Sequence, residues 1–133
     1  MSTNQEIIDS ALQELGVIEA GDSANATDSA TVLNTLNNMM ESWEADDKDF
    51  NWFPQDTLSD TAPLPRWALE GVISNLAIMV APNFRSPVTA DLARKADKGE
   101  RTILTRLINL KLEGSDMSHL GAGNARYNIT TDS

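Results

Sequence analysis

The sequence has no cysteine, which excludes a disulfide framework and any thiolate metal centre. It has one histidine, His119, so a Cys/His zinc cluster is excluded too. Aromatic residues make up only 5% of the 133 residues, enough for one modest core. No apolar run approaches the roughly 18 residues that read as a membrane-spanning helix. The opening MSTNQEIID lacks the basic start and apolar centre of a secretion signal. The chain therefore reads as soluble, membrane-free and made in the cytoplasm. Positive charge is scarce and unevenly placed. Residues 1–62 hold 13 acids and a single base, Lys48, whereas residues 63–133 hold 7 acids and 9 bases. An acidic half followed by a mildly basic one implies head-to-tail complementarity between copies, or a steering field. A solvated acidic face without a partner is the alternative.

What is present is helical periodicity, and the fold class expected is all-α. Four segments carry it, as a small antiparallel bundle of about four helices. The first spans about Asn4 to Leu15. Thr3 and Glu6 have capping-box spacing, Ile7, Ile8, Ala11, Leu12 and Leu15 form one face, and Gly16 supplies a left-handed stop. The second spans about Ser29 to Ala45. Leu33, Leu36, Met40 and Trp43 line it, flanked by Val32 and Met39, and Asn34, Asn37, Asn38, Glu41 and Glu44 make a polar face. The third, Pro65 to Val80, begins on a proline suited to a first helical turn and has little polar surface. It is the expected centre of the bundle. The fourth spans about Thr89 to Leu112. Leu92, Ala96, Gly99, Ile103, Leu107 and Leu110 fall on one arc, Leu104, Ile108 and Leu112 form a second apolar stripe, and Arg94, Lys98 and Arg101 share a basic face. A helix that becomes apolar on a second side has a second neighbour there.

Two segments break the pattern. The long irregular loop 46–64 has no period but carries Phe50, Trp52 and Phe53. It wraps back over the helices or forms a short irregular strand or two, and it serves either as core cover or as an interface patch. The chain then ends in MSHLGAGNARYNITTDS, rich in Gly, Asn, Ser and Thr, which gains little from burying itself. The expected organisation is thus a helical domain, 1–113, and an extended C-terminal arm, 114–133.

Chemistry is hard to find in these residues. A Ser–His–Asp triad would place its base, His119, on the arm. The acids Asp46, Asp47 and Asp49 do not match a calcium-loop spacing. Gly121-Ala-Gly123 lacks the third glycine of a dinucleotide loop. No catalytic residue, metal ligand or cofactor is assigned. Two alternatives to a structural role remain: a small acidic hydrolase using a carboxylate pair from residues 41–60, and a DNA-associated helical regulatory protein using Arg94, Lys95, Lys98 and Arg101.

The run IIDSALQELGVIEAGDSANATD, followed by LNTLNNMMESWEADD, resembles the start of the head–tail connector proteins of tailed bacteriophages. It is most similar to their tail accessory, or packaged-DNA-stabilisation, group from short-tailed phages. The resemblance lies in Leu15-Gly16-Val17 after the first helix, and in Leu36, Asn37, Met39, Met40 and Trp43 on the second. It continues in LPRWALEGVISNLAIMVAPNF, with Asn75-Leu76-Ala77 and Ala81-Pro82, and returns at Tyr127-Asn128-Ile129. It covers about residues 5–112. The resemblance implies a virion protein that docks under the portal protein as a homo-oligomeric ring, usually of twelve copies. Such a ring extends the channel, helps retain packaged DNA and offers a platform for a downstream tail or nozzle protein. DNA passes through it without sequence-specific binding, and no cofactor is implied. Residues after the last long helix then lie along the portal or a neighbouring subunit. Tyr127 and Ile129 would be anchors there, Arg126 a charged contact, and His119 and Asn128 further parts of the same arm. Arg94, Lys98 and Arg101 would form an inter-subunit basic face, and Phe50, Trp52 and Phe53 an interface loop.

Overall fold

The computed structural model describes residues 2–120, with side chains as far as residue 112. Four α-helices follow in order: α1 (Asn4–Glu14), α2 (Ala26–Ala45), α3 (Leu69–Val80) and α4 (Ala90–Leu120). The described residues contain no β-strand. An isolated antiparallel bridge between Thr3 and Thr61 stands in place of the short strand or two that were one of the two expectations for loop 46–64.

Helix α1 starts on the expected capping box. The Thr3 hydroxyl accepts the Glu6 amide at 3.2 Å, and the Glu6 carboxylate accepts the Thr3 amide at 2.8 Å. It stops as expected at Gly16, whose φ of +73° suits glycine. The Gly16 amide donates to the Gln13 carbonyl and the Val17 amide to the Leu12 carbonyl, the two bonds of a Schellman end. Helix α2 begins earlier than expected, at Ala26, because the Asn25 side chain accepts the Asp28 amide at 2.8 Å and caps it there. Pro65 does not open α3. It precedes a short 3-10 turn, Arg66–Ala68, and α3 follows from Leu69.

Helix α3 touches α1, α2 and α4, as its sparse polar surface implies. Ile7, Ile8, Leu12, Leu36, Leu76 and Ile103 are fully buried around it. Met39 and Met40 lie in that core as packing residues. Helices α3 and α4 run antiparallel, because Trp67 meets Arg106, Gly71 meets Ile103, and Asn75 meets Ala96. At their crossing two glycines face each other. A Cβ on Gly99 would stand 2.5 Å from the Gly71 Cα, so neither position has room for a side chain. The Asn75 amide bridges the pair, donating to the Gly71 carbonyl on its own helix at 2.8 Å and to the Ala96 carbonyl at 3.0 Å.

Loop 46–64 folds back over α1 and α2. The Asn4 and Gln5 amides donate to the Asp60 and Leu58 carbonyls, both at 2.9 Å. Asn37, read as part of a polar face, is half-buried and clamps the loop instead. Its Oδ1 accepts the Trp52 indole at 3.1 Å and the Gln55 amide at 2.8 Å, while its Nδ2 donates to the Gln55 carbonyl at 2.8 Å. Three bonds through one amide side chain hold the apolar loop against α2 without a regular ladder.

Candidate functional site

No helix among the described residues is long and apolar enough to cross a membrane. Nor do the described residues gather three or more His, Cys, Asp or Glu side chains fit to hold a metal ion. Two acids of the loop do local tasks. Asp49 accepts the Asn51 amide at 2.7 Å, and Asp56 accepts the Thr57 hydroxyl at 3.2 Å. Lys48, the lone base of the first half, is buried. It pairs with Glu100 of α4 at 3.1 Å and lies 5.5 Å from the Trp43 ring, so it fastens the loop to α4.

The aromatic loop divides between the two roles weighed for it. Trp52 is buried in the core, which corrects its place in an interface patch. Phe50 is half-buried against Trp67, with ring centroids 5.8 Å apart. Phe53 alone stands out, 59% exposed.

A hollow of about 560 Å³ opens between α1, α3 and α4, lined by Ser10, Gln13, Glu14, Glu70, Ser74 and Lys95 among others. An ion pair forms part of its lining. Lys95 Nζ lies 2.6 Å from Glu14 Oε1, and that carboxylate raises the lysine above its ordinary pKa. Behind it the buried Ser74 hydroxyl has no hydrogen-bond partner.

The surface that the bundle leaves unfinished is on α4. Leu92, Ala96 and Ile103 are buried against the body, and Leu107 is partly covered. Leu110 continues the same arc yet is 54% exposed. The cause is length. The partner helix α3 begins at Leu69 and its preceding turn at Arg66, and these face Ile103 to Arg106, so among the described residues no element continues α3 over α4 beyond Leu107. Helix α4 does not stop at Leu112 as expected but continues to Leu120, so residues 114–120, the start of the expected extended arm, are helical. From Ile108 to Leu120 is about 20 Å of helix at 1.5 Å per residue.

On the outer side of α4, Leu104 is partly buried, whereas Ile108 and Leu112 of the expected second stripe are exposed. Arg94, Lys98 and Arg101 are exposed as expected. Arg94 pairs with Asp91, and Arg101 with Asp97 at 2.6 Å, both on the same helix. Arg106 leaves that row and lies over the Trp67 ring at 5.1 Å. The helix content of His119 falls within α4, but its side chain and all of Arg126, Tyr127, Asn128 and Ile129 lie outside the described residues.

Fold and surface together define a mostly helical four-helix bundle whose last helix outruns its partners. No family model and no curated protein matches the chain.

Proposed function

We propose that this chain is a structural connector of a tailed-phage virion. It is one subunit of a ring that docks under the portal, extends the DNA channel, helps retain packaged DNA and presents a platform to the next tail component. The ordered resemblance of residues 5–112 to that group supports this reading. The observation that carries it is the bare continuation of α4, where Ile108, Leu110 and Leu112 are 46%, 54% and 54% exposed. Water gains nothing from three large aliphatic side chains on a projecting helix, whereas a second polypeptide laid over them does.

Native mass measurement of the protein mixed with the purified portal of the same particle tests the proposal. Several copies bound per portal ring are expected. A second arm uses deletion of residues 117–133, which leaves the helical body folded by circular dichroism but abolishes attachment. Full binding by that truncation removes the arm from the proposal, and no binding by the intact chain removes the proposal itself.

A further inference from the structure

One seam of α4 carries two chemistries in sequence. Arg94, Lys98 and Arg101 are followed, at the same spacing of three and four residues, by Thr105, Ile108 and Leu112, and all six are exposed. We propose that this seam docks on a second copy of the chain, against the outer face of α2 and the neighbouring Phe53 of that copy. The connector reading supplies only the premise that copies meet; the surfaces follow from what each face can accept.

The seam does not pair with itself along its whole length. In parallel, Arg94, Lys98 and Arg101 would confront their own equivalents. Antiparallel in full register, Ile108 and Leu112 would lie on arginine and lysine heads, and a slipped register that joins only Ile108 and Leu112 would leave the basic part uncovered. Like-charge juxtaposition suppresses the first, and burying a charge against apolar side chains suppresses the second. Its complement must be acidic at one end and apolar at the other.

The chain carries such a surface. The bond from the Trp52 indole to Asn37 sets the next residue, Phe53, beside the Asn37 turn of α2. Glu41 and Glu44 lie exposed further along that helix, and Asp46 and Asp47 follow at its end. From Asn37 to Glu44 is about 10 Å along the axis, and from Arg101 to Ile108 is about the same. With α4 of one copy antiparallel to α2 of the next, Ile108 meets Phe53 while Arg101 meets Glu44 and Lys98 meets the acids at the helix end. Lys98, Arg101 and Thr105 also border a shallow hollow of about 420 Å³, which receives a glutamate side chain. Among the described residues, Lys98, Glu41, Glu44, Asp46 and Asp47 have no ion-pair partner within their own chain. The match is heterologous, so each copy keeps one free donor face and one free acceptor face, as a closing ring demands.

The absence of cysteine makes the contact directly testable. Chains bearing Ile108→Cys and chains bearing Phe53→Cys are mixed at low salt, alone and on the portal ring, and treated with a short bismaleimide. The mixture is expected to give several-fold more cross-linked dimer than either chain alone. Adding Lys98→Glu and Arg101→Glu to the first chain abolishes it, and Glu44→Lys with Asp46→Lys in the second restores it. Circular dichroism checks that each variant folds. Dominance of the Ile108→Cys homodimer, absence of any cross-link both free and on the portal, or failure of the reversed pair to restore it overturns the proposal. Portal binding without the cross-link would remove the seam and leave the connector reading; no portal binding by the intact chain would remove that reading alone.

Discussion

The two halves of α4 share a helix and a spacing but not a fate. Ile103, on the half against α3, is fully buried, and Leu110, on the same arc two turns on, is 54% exposed. The sequence pattern is continuous across them. What changes is the neighbour, since α3 and its preceding turn end as a covering surface near Arg106. An apolar stripe therefore records where a helix is meant to be covered, and the fold records whether its own chain does the covering.

The largest effect that sharpens this contrast comes from truncating both positions. Ile103→Ala is expected to cost about 2–5 kcal/mol in urea unfolding, the range for emptying a packed site. Leu110→Ala should stay within about 0.5 kcal/mol in the isolated chain, as at other exposed positions. Equal losses at the two sites would mean that the free end of α4 is already covered.

Next comes the glycine crossing that seats the buried half. Gly99→Ala places a methyl group 2.5 Å from the Gly71 Cα, so α3 and α4 must separate. Alanine is the better helix former by about 1 kcal/mol, yet overpacking of about 1–3 kcal/mol should prevail and lower the unfolding temperature. A rise in that temperature would break the account of the crossing. Asn37→Ala, remote from α4, is expected to cost about 1–2 kcal/mol by stranding the Trp52 indole and the Gln55 backbone groups. Faster amide exchange should follow at Gln55, with α4 unaffected.

The smallest effect belongs to Lys95, whose side chain and that of Glu14 are 40% and 30% exposed. Lys95→Met should change stability by less than about 1 kcal/mol. Because Glu14 raises this lysine above its ordinary value of 10.5, the pair stabilises fully below that pH and loses its contribution as pH rises through the higher folded value. A stability gap between the intact chain and the variant that widens, rather than closes, as pH rises past 10.5 would reverse that sign.

Much of the body was legible in the residues. The capping box at Thr3 and Glu6, the stop at Gly16 and the apolar faces of all four helices are local signals. Asn37 was not, because an amide on a polar helix face looks the same whether it meets water or a returning loop. The roles of Gly71 and Gly99 depend on the depth of a crossing that spacing along one helix does not contain. The start of α2 at Asn25 was available as a capping residue, but the apolar positions that mark the helix begin only at Val32. The split of the aromatic loop into buried Trp52 and exposed Phe53 follows from the Asn37 clamp and was hidden with it. For the surface, the residues of the α4 seam were visible, while the alignment of its basic and apolar parts on one exposed line needed the helix in place.

Hydrogen exchange of the α4 amides from Thr105 to Leu112 tests the central claim most directly, measured on the free chain and on the chain mixed with a purified portal ring, the partner proposed for it. Strong slowing on the ring, with the Leu92–Ile103 half protected in both states, is the result this account predicts. Unchanged exchange at Thr105–Leu112 in a mixture where the chain is bound would contradict it.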